Sequence, residues 1–378
     1  MSTVKGENGG GHAMKQEKIL FLVNNAGNSK NVAYYQSKMK MPMDSGIFKR
    51  NSLEDEKMPI LDMPLAKLRE YQGVNPCPQD LDAYWERALA EMKATDPQVE
   101  CRDAAFQAPG LICQDLYFTG VGGARIHCNF VRPAQDDGKK HPAICWFHGY
   151  CGSAPGFMSL LPYAYAGFYI ISMDTRGQGG LSQDTQAAVT NSVYGHIVKG
   201  LNEGPENLFF RNVFLDAAQL AGIMMNMEQV DETRVGAMGG SQGGALTLAC
   251  ASLEPRIAVA APQYPWLCDY KRVWDMDLDD RAYKGLRDYF RHFDPNHEKE
   301  EEIFTTLGYI DLQHLAKRIR AKVTMFTGLM DNICPPSSQF AAFNKITSEK
   351  NVVIYPDFGH ENLPKADEKI HKLMMTLL

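Results

Sequence analysis

The sequence predicts an α/β protein: a mostly parallel central sheet flanked by helices, with a helical insertion. Three observations carry this. From Ala143 onward, short apolar runs alternate with longer segments of helical period, the pattern of parallel strands joined by crossover helices. Several runs are continuously apolar, as strands covered on both faces should be. One of them, Val235–Met238, runs into the turn Gly239-Gly240-Ser241-Gln242-Gly243-Gly244 and then into a helix over Leu246–Leu253.

Residues 1–57 differ from the rest. Gly6 to Gly11 is glycine-rich, Met39 to Met43 reads Met-Lys-Met-Pro-Met, and apolar periodicity is weak. We expect a poorly ordered N-terminal extension there and a single folded domain over 58–378. Pro64 suits a first helical turn, with Leu65, Leu68 and Tyr71 following at helical spacing. A second helix, about Asp80 to Ala94, carries Leu81, Tyr84, Trp85, Ala88, Leu89 and Met92 on one stripe. Leu116–Thr119 and Ile126–Val131 read as strands around the turn Val121-Gly122-Gly123. Ala143–Phe147 is a strand ending at His148-Gly149, and Phe168–Met173 is another, ending at Asp174. Phe209–Met227 reads as a long helix and Ile257–Ala261 as a strand. Cys268–Ile310 breaks the alternation with aromatics and mixed charge, and is read as an inserted lid or cap of short helices. The alternation resumes with strand Val323–Thr327, helix Pro336–Ile346, strand Val352–Tyr355 and a terminal helix.

Composition narrows the function. The 378 residues hold 39 Lys and Arg against 45 Asp and Glu, a net charge of −6, which argues against a nucleic-acid partner. No apolar run is long enough for a membrane-spanning helix, and Ile19–Val23 is too short for a signal-peptide core. The nine cysteines show no metal-ligand spacing. Buried, reduced cysteines, a reducing cytoplasm and no zinc site are expected.

Gly239, Ser241 and Gly243 form G-x-S-x-G between a strand and a helix, the context of a nucleophile elbow. A serine hydroxyl needs a base within hydrogen-bond reach, and the base needs an orienting acid. In α/β hydrolases the chain order is Ser, acid, His. Asp331, after Gly328-Leu329-Met330, and His360, in Gly359-His360-Glu361, both fall just past strands. Asp357 competes as the acid but lies in the same loop as His360. His292, His297 and His314 are read as exposed surface histidines. The oxyanion donors are assigned to the N–H of Gln242 and of Tyr150, in His148-Gly149-Tyr150-Cys151-Gly152. His148 is read as a loop histidine bonded to backbone, and Cys151 as a bystander because it lacks an elbow. No acidic pair or phosphate loop supports a glycosidase or nucleotide enzyme. The rivals are a peptidase or longer-chain esterase on the same fold, and an idle hydrolase fold used as a receptor.

Asp174-Thr175-Arg176-Gly177-Gln178-Gly179, then the elbow, then His360-Glu361, resemble carbohydrate esterase family 7, the acetyl xylan esterases and cephalosporin-C deacetylases. Phe147–Tyr150, Gly195-His196-Ile197, Pro205-Glu206-Asn207, and Gly328–Asp331 followed by Cys334-Pro335-Pro336 are similar too. The resemblance runs from about Met58 to the C-terminus. It implies a cytoplasmic, cofactor-free α/β hydrolase that deacetylates small acetylated sugars and cephalosporin C and makes peracids from peroxide. It also implies a homo-hexamer, a trimer of dimers with active sites facing an interior cavity that excludes polymeric xylan. Arg176, Gly177 and Gln178 would then support the site, although a loop-bracing ion pair serves equally for Arg176. Cys151 stands where a polar residue is expected, and Trp266 where phenylalanine is.

Overall fold

The computed structural model describes residues 61–135, 137–186 and 195–378. The expected extension over residues 1–57 lies outside the described residues.

Among the described residues nine strands form one sheet: β1 (Glu100–Asp103), β2 (Leu111–Thr119), β3 (Arg125–Pro133), β4 (His141–Phe147), β5 (Tyr169–Met173), β6 (Val230–Gly240), β7 (Val259–Gln263), β8 (Lys322–Gly328) and β9 (Lys350–Tyr355). Their order is β1-β2-β3-β5-β4-β6-β7-β8-β9. β1, β2, β3 and β5 pair antiparallel along one side. β5, β4, β6, β7, β8 and β9 pair parallel. The sheet is thus an α/β-hydrolase sheet, mostly parallel with an antiparallel flank.

Strand alternation builds two cores, because successive side chains point to opposite faces. Cys145 and Phe147 of β4 join Ile171, Ala237 and the helices Leu81–Ala94, Phe209–Met225 and Gln242–Leu253 on one face. Ile144 joins Ile170, Met238 and Ala261 against the helices Phe157–Tyr165 and Ala366–Met374 on the other. Helix Gln242–Leu253 is buried at every position, as a helix apolar all round must be. It is enclosed by β6, β7 and helix Phe209–Met225.

Several expected boundaries move. β2 begins at Leu111, five residues before the expected Leu116, and β1 is not expected at all. β1 is exposed at every residue, so it carries no buried face that a pattern of apolar residues would reveal. The strand expected at Ile257–Ala261 lies at Val259–Gln263, because Ile257 still turns off the preceding helix through its bond to Glu254. Between β7 and β8 the chain forms helices Tyr270–Asp275, Lys284–Phe293, Glu300–Leu307 and Leu312–Leu315. All nine cysteines are free; six are buried as expected, but Cys77, Cys101 and Cys151 are exposed.

Candidate active site

β6 ends at Gly240, helix Gln242–Leu253 begins at once, and Ser241 is the hinge between them. Its backbone sits at φ 58°, ψ −117°, a strained conformation for a residue with a side chain. The flanking glycines make that approach possible. A Cβ on Gly239 would lie 2.5 Å from the Phe147 carbonyl oxygen, and one on Gly243 would lie 2.1 Å from it. The end of β4 therefore presses against the turn with no room for side chains. The Ser241 carbonyl accepts from Ala245 N–H at 2.9 Å and Trp266 N–H at 3.1 Å, which fixes the turn from both sides.

Asp331 follows β8 and His360 follows β9. The loops bring both to Ser241. His360 Nε2 lies 2.9 Å from Ser241 Oγ, and His360 Nδ1 lies 2.8 Å from Asp331 Oδ2. A carboxylate only accepts, so Nδ1 carries the ring proton and Nε2 is left to accept from the hydroxyl. Asp331 is fully buried. Its Oδ1 accepts from the N–H groups of Ile333 at 2.9 Å and Cys334 at 2.8 Å. Asp357, the competing acid, is exposed.

The loop 148–152 lines the same cavity as Ser241 and His360, a space of about 580 Å³ whose walls also include Arg281 and Ile333. His148 is bonded to backbone as expected: Nδ1 lies 2.7 Å from Gly149 O, and Nε2 accepts from Thr175 N–H at 2.9 Å. Tyr150 sits against the Trp266 ring, centroids 4.6 Å apart. Its hydroxyl accepts from His196 N–H at 3.1 Å and meets His196 Nδ1 at 2.9 Å. Burial lowers the His196 pKa, which keeps Nδ1 free to accept from the phenol.

Gln178 links this loop to the elbow. Its Oε1 accepts from Cys151 N–H at 2.9 Å. Its Nε2 donates to Gln242 Oε1 at 2.7 Å, and Gln242 Nε2 donates back to Gln178 Oε1 at 3.0 Å. Arg176 does not reach the cavity. It is buried, donating Nε and Nη2 to the two oxygens of Asp216, both at 2.6 Å, and Nη1 and Nη2 to Val121 O. Burial raises the Asp216 carboxyl. Burial alone would lower Arg176, but the Asp216 charge reverses this. Two short charge-assisted bonds mark the pair as ionised, so Arg176 is the loop brace. Gly177, at φ 64°, takes the left-handed turn between the two.

His292 and His297 are exposed as expected, but His314 is buried. Its Nε2 meets Pro76 O at 3.1 Å, because the helix Leu312–Leu315 packs inward beneath helix Pro336–Lys345. Two cavity-related residues carry no role in the sequence reading. His196 stands in a motif of the resemblance without a function attached. Arg281 lies in a segment whose mixed charge hides it.

Among the described residues, Asp331, Cys334 and His360 offer donor atoms within 4.8 Å of one another. They suit a metal poorly: burial holds the Cys334 thiol well above its ordinary pKa, and both His360 nitrogens are engaged.

The family model for acetyl xylan esterase (AXE1) matches residues 58–377. The structure of acetyl xylan esterase 1 from Thermoanaerobacterium sp. JW/SL YS485 is 53% identical, covering 84% of this chain and 99% of that one with a TM-score of 0.82. Acetyl xylan esterase from Paenibacillus sp. R4 is 31% identical, covering 84% and 100% with a TM-score of 0.79. Acetyl esterase Axe7A of Xylanibacter ruminicola is 27% identical over 291 residues, 75% of this chain; the match spans 63% of that curated relative's length. A match running from residue 58 almost to the C-terminus, on a sheet that delivers a serine elbow, leaves one conclusion: the chain belongs to the acetyl xylan esterase (AXE1) family.

Proposed function

We propose that this chain is a serine esterase that removes acetyl groups from small acetylated sugars, xylo-oligosaccharides among them, and from cephalosporin C. The observation that carries the reading is the line Asp331–His360–Ser241, with contacts of 2.8 and 2.9 Å, opening on the cavity. Membership in a family of carboxylic ester hydrolases supports it.

In this mechanism Ser241 Oγ attacks the acetyl carbonyl while His360 Nε2 takes its proton, and Asp331 holds the imidazole tautomer and steadies the imidazolium. The oxyanion is held by two backbone N–H groups. Gln242 is the first helical residue, so its N–H is among those a helix leaves without an internal partner. Tyr150 supplies the second from the loop opposite. Losing one such donor costs about 10²–10³ in rate. His360 then protonates the departing sugar alkoxide. Water, activated by the same imidazole, attacks the acyl-enzyme and acetate leaves. Hydrogen peroxide in place of water gives peracetate by the same path.

The protein acts in the cytoplasm as a hexamer, a trimer of dimers, in line with the resemblance. Among the described residues, no helix is long and apolar enough to cross a membrane.

The test is acetate release from acetylated xylo-oligosaccharides and cephalosporin C, with Ser241→Ala alongside. Release by the wild type alone supports both the reaction and the nucleophile. Release by folded Ser241→Ala overturns the mechanism. If neither releases acetate, a p-nitrophenyl ester series finds the acyl length the cavity takes. Light-scattering mass tests the hexamer.

A further inference from the structure

We propose that Arg281 forms a carboxylate subsite at the wall of the catalytic cavity, so that acetyl esters bearing an acidic group are preferred over their neutral counterparts. This rests on the acetyl-esterase reading.

Arg281 lines the cavity that holds Ser241 and His360, and no Asp or Glu is among the described lining residues. Among the described residues its side chain makes no hydrogen bond or ion pair; the exposed Asp280 beside it in sequence is also unpaired, while other charged groups nearby are matched. Asp279 is buried and takes Arg287, whose Nε donates to it at 2.7 Å. Lys284 pairs with Asp288. The guanidinium is therefore a cation with no hydrogen-bonded acid among the described residues, on a wall of the cavity that also holds Ser241.

Its backbone sharpens the point. Arg281 sits at φ 45°, in the left-handed region where glycine or asparagine is the easier choice. A planar fork of N–H donors matches a carboxylate in two bonds, and a concave wall strengthens the attraction relative to open water. The ligand chemistry is the carboxylate itself, whether on a uronic acid ring or on a cephem nucleus.

The experiment compares matched pairs: acetylated methyl glucuronoside with its methyl ester, and 7-aminocephalosporanic acid with its methyl ester. Each pair differs only at the carboxyl group, ionised in one member and capped by a methyl in the other. For wild type, Arg281→Gln and Arg281→Lys, the ratio of kcat/KM for the acid to that for the ester is measured. We expect the ratio to fall roughly three- to tenfold in Arg281→Gln and to be largely kept in Arg281→Lys. In the wild type, raising salt should lower the ratio, since screening weakens an exposed ion pair; this arm needs no variant. A fall in one pair alone assigns the subsite to that carboxylate. A ratio unchanged in Arg281→Gln and insensitive to salt, with both esters still cleaved, overturns the subsite. Failure of the wild type to cleave any of the four would instead overturn the acetyl-esterase reading.

Discussion

Replacing Arg176 by methionine removes the guanidinium that holds Asp216. Both side chains are 1% exposed, and the arginine makes two bonds of 2.6 Å to the carboxylate. Breaking a buried pair from one side leaves the other charge uncompensated, at a cost of about 3–5 kcal/mol. A shift of roughly 2 °C per kcal/mol then lowers Tm by roughly 6–10 °C. Asp216→Leu should cost a similar amount by stranding the arginine. The double variant Arg176→Met, Asp216→Leu removes both charges. It leaves chiefly the Val121 carbonyl without its donors, which costs about 1–3 kcal/mol. The double variant should therefore be more stable than either single one. Urea unfolding, followed by tryptophan fluorescence and by residual esterase activity, gives all three values and checks that the probes coincide. Single variants within about 1 kcal/mol of wild type, or a double variant whose loss equals the sum of the two, would refute the view that these residues act as one ionised unit.

Gln178→Ala frees the Cys151 N–H and leaves the Gln242 side chain held by Thr175 alone; we expect kcat to fall roughly 10- to 100-fold, as displaced catalytic groups do, with KM changed far less. Steady-state kinetics on p-nitrophenyl acetate decides this, and an unchanged kcat would remove Gln178 from the positioning role. Gly243→Ala would drive a Cβ to 2.1 Å from the Phe147 carbonyl, so it should be destabilised by roughly 3 kcal/mol or more, read as a lowered urea midpoint. Burial, aided by Lys345, pushes His314 down to about 4 from its ordinary 6.5. The neutral ring's contribution is thus complete above pH 6.5 and is lost as pH falls toward 4, at 1.36 kcal/mol per pH unit. His314→Gln should therefore gain about 3 kcal/mol relative to wild type between pH 7 and pH 4. Burial also pushes Asp311 up to about 6, which acts in the opposite direction in both proteins, so the variant is read against wild type at each pH. A difference that stays flat with pH would show that the imidazole is not held neutral.

The reach of the sequence follows what each residue touches. β4, β5 and the Val235–Gly239 half of β6 are legible because both of their faces are buried, so each reads as an apolar run; the polar, partly exposed start of β6 at Asp231-Glu232-Thr233 does not. β1 is not, since Glu100-Cys101-Arg102-Asp103 is exposed throughout and is held by pairing with β2 alone. That Ser241, Asp331 and His360 come together is legible because a G-x-S-x-G turn and two strand ends place them locally. Asp331, not the exposed Asp357, lies 2.8 Å from His360, reaching it from the neighbouring loop. His314 misleads because its neighbours Gln313, Lys317 and Arg318 are polar, while the side chains that bury it come from residues far away in sequence. Arg176 is ambiguous for the same reason: Asp216 lies forty positions later on another element.

The sheet order has a dynamic consequence. Ser241 hangs from β6, a central strand, and from a helix with no exposed face. His360 hangs from β9, which among the described residues is an edge strand pairing with β8 alone and is half-exposed over most of its length. Edges open locally at lower free energy than the middle of a sheet. Amide hydrogens of β9 and the terminal helix should then exchange with solvent by local fluctuation, while those of β6 and helix Gln242–Leu253 wait for global unfolding. On the proposed mechanism the base would be lost before the nucleophile, and mild denaturant would switch catalysis off reversibly while most of the fold still stands.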